Sequence, residues 1–200
     1  SRGLGDVYKR QAKPAQQIPQ GDVSDPTVLE TLNSAVTKAS SASEPVSCDV
    51  ALGTETLNAN ASKNKQIARA STKAKTNVAK ATKAVDDGKA EKVEFIKHEL
   101  QTAVTGAQKI YDDSKGVVLD DSTRTTLQSA IDQANALLQQ DDADLNEMQQ
   151  SITDVKDAGD AVTVSMNEYT AQQKYLEQQR QQEQQRQQQQ QQQQQDLSLI

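Results

Sequence analysis

Seven basic residues, Lys63, Lys65, Arg69, Lys73, Lys75, Lys80 and Lys83, lie between Leu57 and Val85 with no acid among them. Ammonium and guanidinium groups supply sequence-independent affinity for phosphate-bearing chains. The seven are therefore candidate contacts for a polyanion, either a cell-wall polymer or a nucleic acid. Nucleic acid is the weaker fit. Its readers add aromatic rings, more Arg or a groove-fitting motif, and the net charge of −6 opposes long-range attraction. Between Asp112 and Asp160 the balance reverses, with twelve acids against Lys115, Arg124 and Lys156. The competing expectation is that the basic segment lies along the acidic helices and neutralises them within one bundle.

No other group of residues carries chemistry. His98 is the only His, and one His builds neither a metal site nor, without a neighbouring Ser or Cys, a nucleophile pair. It reads as an exposed or half-buried helix position. Cys48 is the only Cys, so no disulfide forms within the chain. It is expected as a free thiol near a loop, or, in a secreted protein, as the partner of a Cys elsewhere. The carboxylates fall in loops and on polar faces without an apolar wall to raise a pKa. No catalytic, cofactor-binding or metal-binding residue is assigned, no cofactor is expected, and the chain is not read as an enzyme.

The elements that must position these residues are helical. Phe95 is the one Phe, Trp is absent, and four Tyr complete the aromatic set. Aromatic rings dominate compact cores and ligand pockets, so their scarcity favours thin helical assemblies. Residues 12–25, with Pro14, Pro19 and Gly21, read as a flexible lead-in. Asp25-Pro26 opens a short helix over 26–41 with Leu29, Leu32, Val36 and Ala39 on one face. A linker follows over 42–54. The basic, Ala-rich helix of 55–88 has a seam of Ile67, Ser71, Ala74, Val78, Ala81 and Val85, with Gly88 as its expected break and a helix running straight through as the open alternative. A helical bundle is expected over 89–170. Its first helix carries Val93, Ile96, Leu100, Ala103, Ala107 and Ile110 and stops near Gly116. Val117-Val118-Leu119 is expected to tuck under the bundle. Asp121 or Ser122 caps the next helix, with Leu127, Ile131, Ala134 and Leu138. After a connection at Asp141-Asp142-Ala143, Asp144 to Glu147 resembles a capping box. The last helix places Leu145, Met148, Ile152, Val155, Val162, Met166, Tyr169 and Leu176 on one heptad grid, weakened at Gly159 and Gln173. Residues 171–196 form a Gln-rich helix or disordered tail, since Gln favours helix but offers no apolar face.

Both ends resemble a translated sequencing adaptor. Asp6 to Gln11 can be written GAT GTG TAT AAG AGA CAG, and the reverse complement of that DNA begins with codons for Leu-Ser-Leu-Ile, the last four residues. Residues 1–11 and 197–200 are therefore read as adaptor-encoded and excluded from the fold. The rest reads as a piece of a longer metagenomic frame. Setting aside Arg2, Lys9, Arg10 and Asp6 leaves 19 basic and 27 acidic residues, a net charge of −8. No apolar run is long enough to span a bilayer.

The stretch Leu119-Asp120-Asp121-Ser122, Leu127, Ala130-Ile131, Ala134, Leu137-Leu138, then Asp144-Leu145, Met148, Ile152 and Val155 resembles a FIVAR-type helical repeat. The resemblance covers Lys89 to about Met166 and lacks the aromatic residues many such repeats carry. It implies a secreted or wall-associated bacterial protein, hence an extracellular or cell-wall location, in which such units act as spacers and sometimes bind wall components. The expected fold is all-α: antiparallel hairpins or a three-helix bundle with coiled-coil-like seams, elongated, ending in a Gln-rich tail. The expected function is a non-catalytic helical spacer or stalk, weakly adhesive. The alternatives are a coiled-coil module that pairs with another protein helix or with itself, and a polyanion binder acting through the basic helix.

Overall fold

The computed structural model describes residues 4–140 and 143–198, and it is an all-α helical bundle protein, 83% helical. Five helices follow one another: α1 (Leu4–Gln16), α2 (Thr27–Ser40), α3 (Thr54–Asp113), α4 (Ser122–Leu138) and α5 (Leu145–Ser198). A single 3-10 turn, Gln20–Asp22, joins α1 to α2. No strand occurs among the described residues, and Val162, Val164 and Met166 lie within α5. The chain divides into two compact units, one up to Phe95 and one from Ile96.

In the first unit α2 has the predicted buried face, Leu29, Leu32, Val36 and Ala39. Asp25 starts the helix: its carboxylate accepts bonds from the Thr27 amide at 2.9 Å and the Thr27 hydroxyl at 2.8 Å. Those bonds favour the charged form and hold the Asp25 carboxyl below its ordinary range. On α3 the seam of Ser71, Val78, Ala81 and Val85 is buried as predicted. The lead-in departs from expectation. Residues 12–16 continue a helix that starts at Leu4, so Pro14 lies in a last helical turn and not in a flexible segment. Tyr8, Ala12 and Ala15, spaced by four and three, bury one face of α1 in the core of this unit. That burial outweighs the turn signals of Pro14, and it draws residues read as adaptor-encoded into the packed structure. Ser1 to Gly3, Leu199 and Ile200 fall outside the described residues.

The expected break at Gly88 is absent, and 55–88 and the next predicted helix are one element, α3. Gly88 has no left-handed backbone; among the described residues only Gly116, just past the end of α3, does, at φ 73°. Gly88 is buried, and its carbonyl accepts a bond from the Ser24 amide at 3.0 Å. Beside this contact the Ser24 hydroxyl donates to Glu91 at 2.8 Å.

The second unit packs the end of α3 with α4 and α5. Its core holds Ile96, Leu100, Val104, Leu127, Ile131, Met148, Val155 and Val162, all on predicted faces. The start of α4 is held by Asp120, not by Asp121 or Ser122: its carboxylate accepts from the Ser122 amide at 2.8 Å. At the start of α5, Asp144 accepts from the Asn146 and Glu147 amides, which is the forward half of the predicted capping box. Val117 and Leu119 are exposed rather than tucked under the bundle; only Val118 is half-buried. Asp141 and Asp142 fall outside the described residues. The Gln-rich tract is helix through Ser198, with every side chain from Thr170 to Gln194 exposed.

Gly88 supplies a direct test of the continuous helix. A Cβ there meets the Ser24 Oγ at 3.5 Å and the Val23 Cβ at 3.8 Å, ordinary contacts that need no shift. Gly88→Ala should stabilise the first unit by about 0.5–1 kcal/mol in urea unfolding, through helix propensity and a less free unfolded chain. A left-handed helix end at this position would give the opposite sign.

Candidate charged faces and grooves

Every one of the seven predicted basic residues is exposed on α3. At 3.6 residues per turn, Lys65, Arg69, Lys73, Lys80 and Lys83 fall within about 80° of arc, roughly opposite the seam of Val78, Ala81 and Val85. Lys63 and Lys75 lie off this stripe. Their spacings of four, four, seven and three put five of the seven on one helical face, and the burial of Val78, Ala81 and Val85 turns that face to solvent.

The basic run belongs to the first unit, and residues 112–160 belong to the second. Of the seven, Lys83 has an acidic partner, and that partner is Asp87 four residues along the same helix, at 2.6 Å. The other ion pairs have the same local form: Lys109–Asp113, Arg124–Asp121, Arg180–Glu177 and Arg186–Glu183. Exposed pairs of this spacing contribute a few tenths of a kcal/mol. The bond to Asp113 raises the Lys109 pKa and the Coulomb attraction adds to it.

A groove of about 820 Å³ lies between α2 and α3 in the first unit. Its floor is small and apolar, formed by Ala35 of α2 and Ala70, Ala74, Ala81 and Ala84 of α3. Lys38, Lys73 and Lys80 line it as well, with Glu30 as its one acid. Two of the predicted basic residues are thus brought to a groove whose floor the sequence shows only as a run of alanines. Its openness to solvent distinguishes it from an enclosed small-molecule pocket.

Cys48 is an exposed free thiol, as expected, in a segment fastened to α3 by two asparagines. Asn64 exchanges bonds with the Val46 backbone amide and carbonyl at 2.8 and 2.9 Å, and Asn60 donates to the Ser47 carbonyl at 2.7 Å. The linker is therefore stapled to the helix, and the only sequence signal was a pair of Asn four residues apart. His98 is exposed on α3. Among the described residues no group of three His, Cys, Asp or Glu side chains is placed to hold a metal ion. None of the described helices is long and apolar enough to cross a membrane.

Two polar residues that the sequence did not single out organise the turn between α3 and α4. Arg124 stacks over the Tyr111 ring at 4.4 Å and donates to the Ser114 hydroxyl and the Tyr111 carbonyl. Ser165 is buried on α5, and its hydroxyl accepts from the Leu119 and Asp120 amides at 3.0 and 2.8 Å. Asp120 is held in place by its own bonds to Ser122, which lower its pKa. Ser165→Ala removes the acceptor of the Asp120 amide and leaves the Leu119 amide with the Ser165 carbonyl alone, at 3.2 Å. The cost should be about 1–3 kcal/mol in denaturant unfolding of the second unit, without loss of helix content.

No protein-family model, no curated protein and no solved structure matches this chain.

Proposed function

We propose that this chain is a non-catalytic helical spacer of a secreted or surface-attached bacterial protein, a reading to which the resemblance to FIVAR-type repeats contributes the compartment. The observation that carries it is the far part of α5. From Thr170 to Gln194 this helix has no side chain covered by any other element. A segment that buries nothing contributes no core. What it offers is reach, about 1.5 Å per residue for as long as it stays helical. Gln is a good helix former, and the local pairs Arg180–Glu177 and Arg186–Glu183 add support along the tract.

The test is a distance. With Cys48→Ser as background, spin labels at Gln172→Cys and Gln194→Cys should report a narrow distribution centred near the ~33 Å expected for 22 helical residues. A broad distribution at shorter distances would remove the spacer role from this segment.

A second reading has its own observation, the solvent-facing stripe of Lys65, Arg69, Lys73, Lys80 and Lys83. Such a face supports binding of an anionic polymer. Titration with duplex DNA as a model polyanion should then show log K falling against log salt with a slope near −4.5, about 0.9 per neutralised phosphate for five contacts. A flat salt dependence would leave the stripe as a solvated helix face.

A further inference from the structure

The exposed apolar residues of the second unit include Val164, 56% exposed on α5 although its neighbours Val162 and Ser165 are buried. Around it, Asp157, Asp160, Ala161 and Glu168 share the same exposed face, within about 100° of arc. Asp157, Ala161, Val164 and Glu168 follow steps of four, three and four, the spacing of a ridge that fits between two helices. None of the three acids is in an ion pair among the described residues. This is an acidic amphipathic face with a small apolar crest.

The groove between α2 and α3 has the complementary character. Its alanine floor lets a partner helix approach closely, and Lys38, Lys73 and Lys80 have no ion partner among the described residues. A bare polyanion would leave the apolar floor unused, whereas an acidic helix with a Val-Ala crest engages both floor and rim. We propose that the α2–α3 groove of one copy receives the Val164 face of α5 from a second copy. The contact is head-to-tail: each copy offers a groove on one unit and a ridge on the other, so association extends from copy to copy unless the rotation closes a ring. The inference stands apart from the spacer reading, which concerns the tract beyond Thr170 and predicts a distance within one chain.

The experiment uses the full chain and two charge-reversed variants. Lys73→Glu with Lys80→Glu reverses the groove, and Asp157→Lys with Asp160→Lys reverses the ridge. All four positions are exposed, so circular dichroism should match the parent. In sedimentation equilibrium the parent's average mass should rise with concentration and fall back as salt is added. Each variant alone should remain monomeric. Mixed in equal amounts they should associate, because the groove of one again meets a ridge of opposite charge. Val164→Ser should weaken association of the otherwise unchanged chain about tenfold, for the loss of about two methyl groups from an apolar contact. A parent mass independent of concentration, a mixture that stays monomeric, or a Val164→Ser variant as associated as the parent would each overturn the proposal. So would loss of polyphosphate binding in the groove variant without any self-association of the parent, since the groove would then serve an anionic polymer.

Discussion

A shortage of large apolar side chains is the constraint from which the rest of this structure follows. In the first unit Leu29, Leu32, Val36, Val78 and Val85 share the core with alanines and a single ring, that of Tyr8. A buried methyl group yields about 0.8 kcal/mol, against ~1.5–3 for a buried Leu or Val side chain. Seams of this composition stabilise only where backbones come close, and the fold supplies such approaches. Gly159 lies so near the Ile110 side chain that an added Cβ would stand 3.3 Å from its Cδ1. Small residues here bring the helices together and at the same time limit how much each contact contributes.

Periodicity carried most of the fold because a helix that buries one stripe must write that stripe into the chain. The faces of α2, of the seam through Val78 and Val85, and of α4 and α5 were all legible from steps of three and four. What failed were the signals of interruption. Gly88 after two aspartates reads as a stop only while nothing is known of Ser24, whose amide needs the Gly88 carbonyl. Pro14 and its neighbours read as a flexible lead-in only while Tyr8 is set aside as adaptor-encoded. In both places a tertiary contact more than ten residues away decided the outcome, and local propensity has no access to such a contact.

The candidate sites were less legible than the fold for a related reason. A list of lysines gives a charge, and only the phase of the helix around its core gives a face. Five of seven bases form a stripe by their spacing alone, and the burial of Val78 and Val85 puts that stripe in solvent. The groove floor needed a second helix as well, since the alanines of α3 form a recess only when α2 stands beside them. Arg124 and Ser165 were invisible for the converse reason. Each satisfies main-chain groups at a turn, and those groups become a demand only after the turn has formed.

Charge segregation along the chain is then best understood together with the thinness of the seams. A bundle with a small apolar core gains little by burying ion pairs, whose desolvation is costly. Among the described residues the ion pairs join side chains three or four positions apart, and all but the Arg124 side chain stand largely in solvent. The basic stripe and groove belong to one unit and the acidic Val164 face to the other. An alanine floor adds to this a limit on range: it rewards a helix that can settle against it and gives nothing to a ligand held at arm's length. Opposite charge brings such surfaces together at a distance, and the close approach allowed by small side chains determines which arrivals stay.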